Sequence, residues 1–149
     1  MSILRPDPIQ QPEFYDSVPM KRLLAWVLDT AIIVALSFGV ALLTFGIGFF
    51  MFLGLMVLVG MAYRVVTLAN GSATWGMRVA AIEMRGSEGQ KFDLTLAILH
   101  SLGFYISFSA LPLQVISIVL MLTTERKQGL TDMILGTFAL NKAAETRLA

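Results

Sequence analysis

Cysteine is absent from the chain, which removes disulfides, thiolate metal sites and thiol catalysis together. Charge is scarce: 14% of residues are Asp, Glu, Lys or Arg, against about a quarter in a soluble domain. A single histidine is too few for a metal centre built from three or four ligands, so neither a metal nor another cofactor is expected. The net charge of +1 comes from basic residues clustered at the ends of apolar segments, leaving no basic stripe for nucleic acid. Missing too are a Ser-His-Asp set, a catalytic carboxylate pair and a phosphate loop, and no enzyme is expected.

What the chain has in quantity is hydrophobic residues, 56% of the total, with a mean hydropathy of +0.76. That composition describes one polytopic membrane unit. The uncharged run from Thr30 to Tyr63 is too long for one crossing of about 20 residues and too short for two with a turn. The first helix therefore begins earlier, near Leu23, giving spans over 23–43 and 47–68 with the turn at Thr44-Phe45-Gly46-Ile47-Gly48. At 1.5 Å per residue, Asp29 lies roughly 9 Å inside the first span. A carboxylate there costs several kcal/mol unless paired, which makes it a functional candidate. The opening nineteen residues have no apolar core, and the first span is expected to be uncleaved.

A second apolar block, Leu94 to Thr124, is interrupted by His100. As one helix it would measure about 46 Å, beyond a hydrocarbon core of about 30 Å. Pro112 breaks it into short helices over 94–108 and 113–122, which predicts a re-entrant or thinly spanning hairpin. Charge placement favours the hairpin. The turn between the first two spans is uncharged, whereas Lys21, Arg22, Arg64, Arg78, Arg85 and Lys91 flank the opposite ends. The positive-inside rule then puts the amino terminus and central loop in the cytoplasm, and a hairpin returns Arg126, Lys127, Lys142 and Arg147 to that side.

The expected fold is an all-α membrane protein: two full transmembrane helices, a proline-broken third and fourth short helical hairpin, and a small cytoplasmic two-stranded ribbon. The ribbon pairs the alternating stretch Met77 to Ile82 with Gly136 to Leu140. A proline-rich cytoplasmic arm, 1–19, precedes a membrane domain, 20–141, and a cytoplasmic tail, 142–149. Four of the five prolines lie in the arm, which is expected to be extended or disordered, with Phe14, Tyr15 and Met20 dipping into the headgroups. Trp26, Trp75, Tyr63 and Tyr15 read as interface anchors.

Three segments carry a resemblance. Arg22-Leu23-Leu24-Ala25-Trp26-Val27-Leu28-Asp29 heads the first span, Thr74-Trp75-Gly76-Met77-Arg78 follows the second, and Leu130-Thr131-Asp132-Met133-Ile134-Leu135-Gly136-Thr137 lies near the end. Together they resemble the RDD family of bacterial integral membrane proteins, named for one arginine and two aspartates that match Arg22, Asp29 and Asp132. Thr74, Gly76, Arg78, Gly136 and Thr137 support the match, which runs from Met20 to Asn141. Three positions depart from the family pattern. Met77 replaces a usual lysine, His100 stands where a basic residue is common, and Thr131 replaces a histidine that often precedes the last aspartate. A proton-handling histidine beside Asp132 is therefore not expected. The resemblance implies a multi-pass protein of the bacterial inner membrane, with cation or proton exchange suggested for some members.

Arg22 and Asp29 lie on one helix stripe, yet about 10 Å separates them along the axis and the arginine leans towards the helix start. Each needs a partner elsewhere. The hairpin returns Asp132 to the face of the membrane where Arg22 sits, so these two are expected to pair. Other readings stay open: Arg22 as a snorkelling anchor, Asp29 as a structural hydrogen-bond node, Asp132 as a helix cap, and His100 as a satisfied polar core residue. Three functions follow. One is a cation or proton translocating component with Asp29 as reversible ligand. Another is a non-catalytic accessory or assembly subunit, in a homo-oligomer or a larger membrane complex. The third is a lipid or quinone binder using Phe45, Phe49, Phe50 and Phe52.

Overall fold

The computed structural model describes residues 5–148. Helix α1, Val18–Leu43, carries Pro19 in its first turn, where the missing N–H costs nothing and the fixed φ suits a helix. Its buried residues, Val18, Ala25, Asp29, Ile33, Ser37 and Ala41, fall on one stripe and are mostly small. Small residues allow the close backbone approach that membrane helices rely on, since lipid offers no hydrophobic drive between them. The chain reverses through Phe45 and Gly46, both at positive φ, into a short helix α2, Ile47–Phe50. Thr44 clamps this turn, donating from Oγ1 to the Ala41 carbonyl at 2.8 Å and accepting from the Gly48 amide at 2.9 Å. A Cβ on Gly48 would lie 2.8 Å from the Ala41 Cα, so the turn needs glycine there.

Helix α3, Phe52–Gly71, returns along α1. The sequence placed the start of this span at Ile47, but the helix breaks at Met51, and α2 is a separate turn. Among the described residues, α1 and α3 are the two helices long and apolar enough to cross a membrane. Helices α5, Leu94–Ser109, and α6, Leu111–Thr123, form the hairpin, bent by 117° at Ala110. Pro112 sits in the first turn of α6 instead of in the loop. Its ring ends α5 without costing α6 a hydrogen bond. At about 24 and 20 Å the two helices are shorter than a hydrocarbon core of about 30 Å.

At one end of the helices lies a polar cap. It holds α4, Trp75–Val79, strand β1, Ile82–Arg85, α7, Leu130–Leu135, strand β2, Phe138–Asn141, and α8, Lys142–Leu148. β1 and β2 pair antiparallel, Ile82 opposite Asn141 and Arg85 opposite Phe138. The ribbon exists, but its first strand begins where the predicted one ended. Thr74 caps α4 by accepting from the Met77 amide at 3.2 Å, so Trp75–Val79 coils, and Ala81 at φ 55° turns the chain into the strand.

The proline-rich arm also differs from expectation. Phe14 and Tyr15 are buried against Phe138, Leu140 and Ala144, and the Tyr15 hydroxyl donates to the Pro6 carbonyl at 2.8 Å. Prolines stiffen the arm into a strap over one face of the ribbon instead of leaving it extended in solvent. The opposite face packs on Val18 and Ala25 of α1, Leu68 of α3, Met77 of α4 and Ala97 of α5. A two-stranded ribbon is marginal alone, and this clamping on both faces supplies its stability. Met1 to Leu4 and Ala149 lie outside the described residues.

Candidate functional site

Asp29 is 1% exposed and joins three elements. Its Oδ1 accepts from the Tyr63 hydroxyl of α3 at 2.6 Å and from the Gly76 amide of α4 at 2.8 Å. Its Oδ2 accepts from the Thr74 hydroxyl at 2.6 Å. Both hydroxyls are themselves committed as acceptors, Tyr63 to the Trp75 amide at 3.1 Å and Thr74 to the Met77 amide. The node is closed: each donor has an acceptor, and each hydroxyl is held in one orientation. A Cβ on Gly76 would stand 2.7 Å from Asp29 Oδ1 and overlap the Ala25 carbonyl, so glycine is what lets α4 approach α1.

Asp132 forms the second node, in α7 outside the long helices, and is also 1% exposed. Arg22 donates from Nη1 to Oδ2, and the Gly129 amide reaches the same oxygen at 3.1 Å, capping α7. Oδ1 meets His100 Nε2 at 3.0 Å and the Thr137 hydroxyl at 2.9 Å. Burial alone pushes the Asp132 carboxyl up. The Arg22 charge and the His100 hydrogen bond outweigh it and hold the group well below the usual carboxylate range. Arg22 Nη2 rests 3.6 Å from the Met84 sulfur. Glycine again permits the approach: a Cβ on Gly103 of α5 would lie 2.9 Å from Thr131 Oγ1, and Leu130 N donates to Ser117 Oγ of α6 at 3.0 Å.

Arg22 and Asp29, adjacent on one stripe, thus belong to different nodes. Thr74 and Gly76 serve Asp29, while Thr137 serves Asp132 and Gly136 ends α7 at φ 71°. Arg78 joins neither; its guanidinium covers Gly71 at the end of α3. The imidazole beside Asp132 corrects the expectation drawn from Thr131, because the fold brings His100 in from α5. Tyr63 is more than an interface anchor, and the only sign of it was its place closing the uncharged run. Arg64 read as a basic flank. It is 5% exposed, with its guanidinium carbon 3.8 Å over the Phe104 ring.

Between α1 and the α5–α6 hairpin runs a cleft of about 550 Å³. Its walls are apolar, Trp26, Phe108, Ile118, Met121 and Leu122 among them, and its base holds Arg22, Asp29, Arg64, His100 and Asp132. Trp26 and Phe108 approach across it with ring centroids 6.2 Å apart. The phenylalanines expected to form an apolar site do not line it. Phe45 and Phe50 point outwards, 99% and 92% exposed, and Phe49 stacks on Phe52 and meets Phe38 edge-on at the far end from the cap.

Two long apolar helices, a bent hairpin and a cap fastened by two buried carboxylates define a membrane protein whose charges sit where its helices meet its polar end. A family model described as the RDD family matches residues 17–136, and the chain belongs to that family. No curated protein and no solved structure matches it.

Proposed function

We propose that this chain is a non-enzymatic binding protein of the bacterial inner membrane, with its cap in the cytoplasm, that holds the polar end of a membrane amphiphile in the cleft between α1 and the hairpin. One observation carries the reading: the cleft joins long apolar walls to a charged base within a single space. Such a space matches a molecule with a tail and a polar head better than it matches a bare ion. A cation route through Asp29 has less support. All three groups bound to Asp29 are donors, whereas a cation needs several oxygens turned towards it. The arrangement suits a structural node.

Photocrosslinking tests the reading. Ile118 lines the cleft, while Ile116, similarly exposed, faces away from it on α6. A photoreactive residue at 118 is expected to trap a co-purified amphiphile after delipidation, and one at 116 is not. Equal trapping at both sites assigns the molecule to the general lipid shell and ends the proposal. Cation flux in proteoliposomes that disappears in Asp29→Asn would restore the transport reading instead.

Orientation has its own measurement. Lys21, Arg22, Arg85, Lys91 and Lys142 all belong to the cap or the helix ends beside it, and the turn at Thr44–Phe50 has no charge. Since the chain lacks cysteine, single cysteines at Ser87 and Thr146 are expected to be labelled from the cytoplasm only, and one at Gly46 from the opposite side only. Ser2, the other natural reporter, lies outside the described residues. Outside labelling at position 146 would overturn the hairpin topology.

A further inference from the structure

We infer that the cleft selects a phospholipid over an uncharged lipid, the phosphate being received by Arg64; this rests on the amphiphile reading above and names its head group. Arg64 is buried on α3, and among the described residues no carboxylate lies within 4 Å of it. Its Nε has no hydrogen-bond partner, and its polar neighbour is the neutral Tyr105 hydroxyl. Ring contact with Phe104 offsets part of the cost of that burial, but it satisfies no N–H of the fork. Arg64 also lines the cleft. A guanidinium in such a place keeps its Nε–H unpartnered and has the Tyr105 hydroxyl, not a carboxylate, as its protein neighbour, which leaves it donors to offer an anion.

The carboxylates in the same cleft offer nothing comparable to a cationic head. Asp29 spends its oxygens on Tyr63, Thr74 and Gly76, and Asp132 spends its own on Arg22, His100, Thr137 and Gly129. Open hydrogen-bonding capacity at the base is therefore positive.

Depth agrees with a phosphate. Trp75 opens α4 half-exposed, and its ring meets that of Tyr63 at 5.8 Å, while its amide binds the Tyr63 hydroxyl. Tryptophan favours the boundary between headgroups and hydrocarbon. Arg64, the next residue after Tyr63, shares that level. Ser107 and Gln114, bonded to each other at 3.2 Å, give the cleft one more polar contact. An arginine fork can take two phosphate oxygens in parallel, which a lysine cannot.

The test is native mass spectrometry of the full chain offered phosphatidylglycerol and diacylglycerol, which lacks the phosphate, with matched acyl chains in equal amounts. Retention of phosphatidylglycerol is expected to be favoured by roughly tenfold, the scale of one charge-assisted hydrogen-bonded contact. In Arg64→Gln that preference falls to near parity while lipid of either kind is still retained. Arg64→Lys, which keeps the charge and loses the fork, is expected to fall between, and it serves as the deciding variant if the glutamine form does not fold. A phosphatidylglycerol preference unchanged in the variant overturns the assignment to Arg64. Displacement of lipid by millimolar inorganic phosphate assigns the site to a free anion and overturns the lipid. Failure of the wild-type chain to retain either lipid, with no adduct at position 118, defeats the cleft reading itself, a result separate from loss of selectivity.

Discussion

Arg22→Ala and Asp132→Ala are each expected to lower the stability of the detergent-solubilised protein by about 3–5 kcal/mol, the usual result of leaving one member of a buried ion pair alone. Asp132 draws donors from α1, α5, the start of α7 and the segment before β2, so its loss releases α7 from α1 and from the hairpin at once. The double substitution is expected to cost less than the sum, because it leaves no isolated charge. Arg22→Lys should recover only part of the loss, since lysine lacks the planar fork that reaches Asp132 and Met84 together. Thermal unfolding followed by circular dichroism measures all four; additive single losses would show that the pair is not coupled. Acid provides an independent check. The folded Asp132 carboxyl is held below its unfolded value of about 3.9, so its stabilisation is complete above that pH and fades as the pH falls through and below it. Asp132→Asn has no such group to protonate, and its stability should vary less between pH 5 and pH 3 than that of the wild type.

The parts of the fold that were legible in sequence are those set by local or one-dimensional constraints. A charge-free run longer than one span but shorter than two requires the first helix to begin ahead of it, although α1 starts at Val18 and not near Leu23, and an apolar block with Pro112 inside it must bend. The order and spacing of three segments, around Arg22 and Asp29, Thr74 and Gly76, and Asp132, relative to the spans were enough to place the family. What escaped was set by partners far along the chain. Prolines in the arm argue for extension, yet Tyr15 is buried because β2 arrives beside it from more than 120 residues away. Alternation from Met77 to Ile82 suggested a strand, but so short an alternation cannot outweigh the Thr74 cap and the turn at Ala81.

The site shows the same division. Thr74 and Gly76 came only through the family resemblance, and spacing alone gave no reason to attach them to Asp29. Looking for a histidine at position 131 missed His100 because a hydrogen-bond partner need not be a sequence neighbour. Arg64 looked like an ordinary flank, since a charge count records the sign of a residue and not the direction of its side chain. Only the packing of α3 against α5 turns it over Phe104 and into the cleft.

Asp29→Ala is expected to be as severe as loss of the Asp132 pair, and for a different reason. Three donors, the Tyr63 and Thr74 hydroxyls and the Gly76 amide, would be stranded in a buried space, each at about 1–3 kcal/mol. Asp29→Asn is milder. Its carbonyl can keep the Tyr63 and Gly76 bonds, and its amide can face Thr74 once that hydroxyl turns its hydrogen away, so about 1–3 kcal/mol is lost in all. Gly76→Ala keeps every polar group and still belongs with the severe class, because the added methyl would occupy the space of the Asp29 carboxylate and the Ala25 carbonyl. It should push α4 off α1 and open the cap. Limited proteolysis in detergent reads this directly: cleavage at Arg78 and Arg85 is expected to accelerate in Gly76→Ala and Asp29→Ala and to change little in Asp29→Asn. If Gly76→Ala is cut no faster than the wild type, the node does not fasten the cap, and Asp29 must then owe its buried place to something other than structure.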